Sequence, residues 1–211
     1  MLLLQSKKET SGFHNAGEKI PPPETKIQPM KDTTIRLDDK TFRLSIPYAR
    51  IEAAVGETAG RIDKDYADKE RPLFVGVLNG SFMYMAELMK HVSIPCEISF
   101  VRVSSYEGTA STGRVRELLG LSDDIAGRHV IVVEDIVETG TSIGHIKAML
   151  RERGAASVAV TALLFKPDCL KTGTPPEYCA LTIPDRFIVG FGLDYNQLGR
   201  NLKDIYEIVH E

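Results

Sequence analysis

Apolar residues along this chain form two alternating patterns: short unbroken runs, and stretches spaced by three and four. Leu73 to Leu78 (LFVGVL) and Val130 to Val133 are unbroken, the first ended by Asn79-Gly80 and the second by Glu134-Asp135. Runs of that length between turn-forming or charged residues predict strands covered on both faces, as in a parallel sheet. Val158 to Phe165 reads the same way, and Ile94 to Val103 alternates (Ile98, Phe100) as a further strand. Between them lie helical faces. Ile51, Ala54, Val55, Thr58, Ala59 and Ile62 follow Pro47; Phe82, Met85, Ala86 and Met89 follow Ser81, a candidate cap; Ile143, Ile146, Met149 and Leu150 are closed by Gly154. Near the start, Ile35 and Leu37, then Phe42, Leu44 and Ile46, flank Asp38-Asp39-Lys40 and predict a hairpin. Strand, helix, strand at these spacings implies right-handed crossovers and an α/β fold with a mostly parallel sheet.

Residues 1–31 lack either pattern. Pro21-Pro22-Pro23 and Pro29 sit among Lys, Glu and Thr, which predicts a disordered polar N-terminal tail ahead of one domain over 32–211. Met1 and Met30 are both candidate initiators. The formal charge of −3 argues against a nucleic-acid binder working through bulk charge. Three cysteines, Cys96, Cys169 and Cys179, fit neither a zinc pattern nor a disulfide framework, which points to the cytoplasm. No apolar run approaches the length of a membrane span. Gly12 and Gly17 have the glycine spacing of a phosphate loop but lack its Lys-Ser/Thr and a preceding strand. Gly190-Phe191-Gly192 lacks the third glycine of a dinucleotide fingerprint, and the five histidines share no ligand spacing.

The segment from Val130 to Ser142 (VIVVEDIVETGTS) carries the most chemistry. A buried strand delivers two carboxylates, Glu134 and Asp135, into a turn of Thr139, Gly140, Thr141 and Ser142 before a helix begins. Hydroxyls and open amides at a helix start can hold a phosphate; the carboxylates suit vicinal sugar hydroxyls, a divalent metal, or both. Acids followed by a phosphate cradle point to a sugar phosphate. The plainer alternative is a loop acid pair followed by helix caps. Ser104 to Arg114 (SSYEGTASTGR) is small, polar and hydroxyl-rich, a predicted mobile loop whose lone aromatic, Tyr106, suggests a lid. Lys166 before Pro167 reads equally as a solvated lysine, Phe187 as the first core residue of an apolar run, and Asp194 as a turn residue.

Taken together, these segments resemble the type I phosphoribosyltransferases, and within them the hypoxanthine-guanine phosphoribosyltransferase family. VIVVEDIVETGTS resembles their phosphoribosyl-diphosphate (PRPP) motif, and Leu78-Asn79-Gly80-Ser81 falls at their pyrophosphate loop. Ser105-Tyr106 falls in their mobile loop, Lys166 at their purine-contacting lysine, and Phe187-Ile188 with Asp194 and Arg200 in their base and metal site. The resemblance runs from about Ile35 to the C-terminus. It implies a central sheet flanked by helices with a small hood built from segments near both ends. It also implies Mg²⁺-dependent transfer of 5-phosphoribosyl from PRPP to N9 of hypoxanthine or guanine. On that basis Glu138 is the proton acceptor near N7 of the purine. Lys166 selects a 6-oxo group, Phe187 stacks on the ring, and the backbone beside it, at Ile188, reads the purine edge. Arg200 binds pyrophosphate, and Asp194 with Glu134 and Asp135 meets the metal and ribose.

Two positions depart from the family's usual pattern: Glu138 stands in place of Asp, and Asn79 in place of Lys. A homodimer or homotetramer is implied by resemblance alone. The alternatives are an RNA-regulatory nucleotide binder of the same fold, or transfer to xanthine, adenine or a pyrimidine. If Tyr106 belongs to a lid, Tyr106→Ala lowers turnover far more than melting temperature; steady-state kinetics beside thermal unfolding check this.

Overall fold

The computed structural model describes residues 33–105, 115–121, 124–173 and 175–209. The predicted tail, and Tyr106 with the rest of its loop to residue 114, lie outside the described residues. The hairpin expected around Asp38 is β1 (Thr34–Leu37) and β2 (Lys40–Ile46), and Pro47 precedes α1 (Tyr48–Asp65). Then follow β3 (Leu73–Leu78), α2 (Phe82–His91), β4 (Glu97–Ser105) and β5 (Val115–Leu119). Next come β6 (His129–Val137), α3 (Thr141–Glu152) and β7 (Ser157–Phe165), and a single 3-10 turn at Pro167–Cys169. The chain completes β8 (Tyr178–Thr182), β9 (Ile188–Val189) and β10 (Ile205–Ile208).

The main sheet has the order β5-β4-β3-β6-β7-β8, parallel except for the β4–β5 pair. Alternate strand residues face opposite sides. Phe74, Ile131 and Val133 pack with Ile51, Val55 and Ile62 of α1 and Tyr84, Met85 and Leu88 of α2 on one face. Val75, Val130 and Val132 pack with Ile143, Ile146 and Leu150 of α3 on the other. This is why LFVGVL and VIVV have no polar alternation: each buries both of its sides.

A second, antiparallel sheet of order β1-β2-β10-β9 joins residues 34–46 to 188–208, as expected for a hood. Phe42, Val189 and Tyr206 form its own small core, while Ile46, Ile188 and Ile205 join the main one. The Tyr48 N–H donates to Asp204 Oδ1 at 2.7 Å, tying the start of α1 to the hood.

Three sequence expectations need correction. Ser81 makes no side-chain cap; its Oγ is fully buried and has no partner among the described residues. The inward face of α2 is Tyr84, Met85, Glu87 and Leu88, whereas Phe82 and Ala86 are exposed. The helix is turned so that the Tyr84 hydroxyl meets Thr161 Oγ1 of β7 at 2.6 Å, an aromatic burial with a satisfied polar tip. Finally, β6 runs on to Val137, so Glu134 and Asp135 lie inside the strand rather than in the turn after it.

Glu87 is a buried acid on α2 that receives Lys90 Nζ at 2.6 Å and the Tyr48 hydroxyl at 3.1 Å. Burial pushes its carboxyl up, but these hydrogen bonds outweigh burial and hold it below the ordinary carboxylate range. A depressed acid stabilises the fold above its unfolded pKa, and that contribution is lost as pH falls. Glu87→Gln therefore lowers the unfolding free energy by about 1.5–3 kcal/mol at neutral pH, the worth of hydrogen bonds to a charged group. The gap between the two proteins narrows on acidification, as chemical denaturation across pH will read.

Candidate functional site

Strand order dictates where the site lies. From β3 the chain crosses to β4 on one side through α2, then returns to β6 on the other side of β3 before α3 leads to β7. The winding reverses between β3 and β6, and such a switch point leaves a crevice beyond the carboxyl ends of the strands. Asn79-Gly80 closes β3 and Glu138 to Ser142 follows β6, so both motifs border that crevice. The Leu78–Asn79 peptide is cis. Asn79 is exposed and Gly80 buried, with the Asp135 carboxylate occupying the space that a Cβ on Gly80 would need. Asp135 Oδ1 accepts the Ile136 N–H at 2.8 Å.

The loop after β9 closes onto the same point, with Gly192 packed backbone to backbone on the Gly80 carbonyl. Arg200 donates to the Gly192 carbonyl at 2.8 Å and pairs with Asp194 Oδ1 at 2.5 Å. The other Asp194 oxygen accepts the Gln197 N–H at 2.8 Å. Asp194 is thus a turn residue and a member of the site at once. Glu134 is 8% exposed; burial first, and then the neighbouring Asp135 charge, lifts its carboxyl well above the ordinary range. Burial also raises Asp135, against the Ile136 N–H. A carboxyl so raised can donate as well as accept a hydrogen bond.

Beyond β6 is an open cavity of about 210 Å³ lined by Glu134, Asp135, Glu138, Thr139, Gly140 and Ser142. Gly140 is the residue before α3, at φ 79°, and a Cβ there would run into the Thr172 carbonyl. The Thr139 carbonyl in turn accepts the Lys171 and Thr172 N–H groups, each at 3.1 Å. Thr141 and Ser142 are the first residues of α3, exposed, and neither caps that helix, although Thr139 Oγ1 accepts the Thr141 N–H at 3.4 Å. The capping alternative therefore fails for Thr141 and Ser142. The remaining first-turn amides and the positive end of the α3 dipole are left beside the cavity, an arrangement suited to an anion.

The third group gathers at the ends of β7 and β8. Lys166 is only 5% exposed, not a solvated lysine, and its ammonium lies between Glu138 Oε1 (2.5 Å) and Asp185 Oδ1 (3.2 Å). Those two carboxylates outweigh burial and hold the lysine above its ordinary pKa. Phe187 is 47% exposed, so it does not fill the core; its ring stands edge-on to Tyr195 at 5.9 Å and beside buried Phe42 at 6.3 Å. The Phe187 carbonyl is taken by the Ile208 N–H, and β9 is an edge strand. Alternate residues of a strand direct their backbone groups to alternate sides, which turns those of Ile188 outward. Ser105 ends β4, and Tyr106 lies outside the described residues.

Sequence reasoning missed Asp185 and the Leu170–Gly173 segment, whose Thr172 buttresses Gly140. Both reach the site only through tertiary packing, and a Pro-Asp pair or a Lys-Thr-Gly stretch carries no distinguishing local signal.

This geometry has counterparts. Residues 47–196 match a protein-family profile described as Phosphoribosyl transferase domain. The chain is 41% identical over 167 residues to the hypoxanthine-guanine phosphoribosyltransferase of Streptococcus pneumoniae (79% of this chain, 92% of that protein). It is 37% identical over 171 residues to the hypoxanthine phosphoribosyltransferase of Escherichia coli K12 (80% and 96%). Among solved structures, a Trypanosoma cruzi hypoxanthine phosphoribosyl transferase superposes with a TM-score of 0.75 at 31% identity, covering 83% of this chain and 95% of that one.

The cradle before α3 depends on its glycine. Gly140→Ala will cost about 1–2 kcal/mol for a left-handed non-glycine backbone, and more if Thr172 cannot withdraw, read as a lower unfolding free energy in denaturant.

Proposed function

Because the chain belongs to the phosphoribosyl transferase family, we propose that it works in purine salvage, moving 5-phosphoribosyl from PRPP to N9 of hypoxanthine or guanine. The products are IMP or GMP and pyrophosphate. The observation that carries this reading is the buried Lys166 ammonium, held between Asp185 and Glu138, a residue that also lines the cavity before α3. A fixed donor there suits a 6-oxopurine. It also rejects a 6-amino group, which would leave the lysine facing another donor.

Each remaining residue has a role the chemistry requires. The 5-phosphate lies on the amides and hydroxyls of Thr139, Gly140, Thr141 and Ser142 at the start of α3. Glu134 and Asp135 hold the ribose hydroxyls. Pyrophosphate lies on the backbone at Gly80, the neutral amide of Asn79 and the planar fork of Arg200. The purine stacks on the exposed face of Phe187, with its edge against the Ile188 backbone. Glu138, one methylene longer than the family's usual Asp, accepts the N7 proton as the N9–C1′ bond forms and the C1′–O bond to pyrophosphate breaks.

The donor set also fits Mg²⁺. Asp194, Glu134 and Asp135 offer hard oxygens, and Mg²⁺ usually takes one or two carboxylates and completes its shell with water and substrate phosphates. No three such side chains among the described residues approach closely enough to hold an ion unaided, so substrate oxygens and water would have to complete its shell. When bound, the ion supplies Lewis-acid neutralisation of the leaving pyrophosphate. The same reading includes a homodimer or homotetramer and a cytoplasmic location, which the three free cysteines fit. No helix among the described residues is long and apolar enough to cross a membrane.

The decisive assay offers the purified protein PRPP and Mg²⁺ with hypoxanthine, guanine, xanthine and adenine in competition. IMP and GMP accumulate while adenine is left. Folded protein yielding no nucleotide, or using adenine in preference, overturns the assignment.

A further inference from the structure

We propose that Asp185 is a positioning residue: a standing counter-ion that keeps Lys166 paired while Glu138 takes up the purine proton. This rests on the transferase reading above and assigns a role to a carboxylate outside the residues that touch substrate in that reading.

Lys166 carries three N–H donors. One goes to Glu138 Oε1 at 2.5 Å and one to Asp185 Oδ1 at 3.2 Å, leaving the third for the 6-oxo group. The ammonium end has little solvent to fall back on, since the Lys166 side chain is 6% exposed. The groups that face it come from three segments: Glu138 after β6, Asp185 after β8, and Cys169 in the 3-10 turn, whose thiol lies near Asp185. One cation is therefore set against two carboxylates.

That excess becomes useful during the reaction. Before transfer, Glu138 and Asp185 both balance Lys166. As N9 attacks C1′ and pyrophosphate leaves with the bonding electron pair, the N7–H bond breaks and its proton passes to Glu138. Glu138 is then neutral and no longer a counter-ion. Without Asp185, a nearly buried ammonium would be stranded at that moment, and removing one partner of a buried pair is strongly unfavourable. With Asp185 in place, the pairing of Lys166 survives the proton transfer, and its third donor stays aimed at the base. The penalty arises only as charge leaves Glu138, so it falls on the chemical step rather than on substrate binding.

Asp185 is 71% exposed at its side chain, which makes it replaceable without disturbing the core. In Asp185→Asn the single-turnover rate of transfer to hypoxanthine falls about 10- to 100-fold, the worth of a hydrogen bond to a charged group. KM for PRPP stays the same, and KM for hypoxanthine changes far less than the rate. Asp185→Glu recovers most of the rate, because it restores the charge. Thermal unfolding of both variants matches the parent. A parent-like rate in Asp185→Asn, a loss that appears only in KM, or no recovery in Asp185→Glu overturns the counter-ion role while leaving the transferase assignment intact. A parent protein that turns over no 6-oxopurine overturns both.

Discussion

The molecule is organised by the reversal of winding between β3 and β6. These neighbours are parallel and hydrogen-bonded from Leu73 beside Val130 to Gly76 beside Val133, yet α2 and α3 leave them for opposite faces. A crevice opens beyond their carboxyl ends, because the helices that follow them leave to either side. Asp135 reaches across that gap to Gly80, and this contact leaves no room for a side chain at residue 80. The Asn79-Gly80 loop, the paired acids and the cradle before α3 are adjacent because of this seam, although residues 79 and 139 are far apart along the chain.

The hood depends on the same seam from the other side. Gly192 lies on the carbonyl of Gly80, and Arg200 ties the Gly192 carbonyl to Asp194. A β-sheet assembled from both ends of the domain is thereby pinned to the floor of the crevice at one backbone contact. Phe187 and Ile188 are carried on its edge strand, where one ring face and one set of backbone groups remain open. The proposed base subsite thus draws on two sheets, with Lys166 and Glu138 from one and Phe187 from the other.

Electrostatics divide the site into three neighbouring regions. At the start of α3, first-turn amides and the helix dipole favour negative charge. Inside β6, burial raises the carboxyls of Glu134 and Asp135 above their ordinary range. Around Lys166, one cation faces two carboxylates. A polyanionic substrate and a base that must lose a proton make opposite demands, and this partition lets one crevice meet both.

What the chain itself determined was the set of buried strands and helix faces, and the chemistry of the segment Glu134 to Ser142. Both are local properties. An unbroken apolar run must be covered on two sides, and acids followed by Thr-Gly-Thr-Ser can do only a few things at a helix start. The rotation of α2, which exposes Phe82 and buries Tyr84, was not legible, because it is decided by Thr161 on a distant strand. The burial of Ser81, the continuation of β6 through its two acids, and the exposure of Phe187 were decided in the same way, by neighbours supplied from elsewhere. So was Asp185, an ordinary residue after a proline until packing places it against Lys166. Periodicity and residue type act over a few residues, whereas an ion pair between distant segments exists only where folding buries one charge and brings its counter-ion alongside, and that is settled in three dimensions.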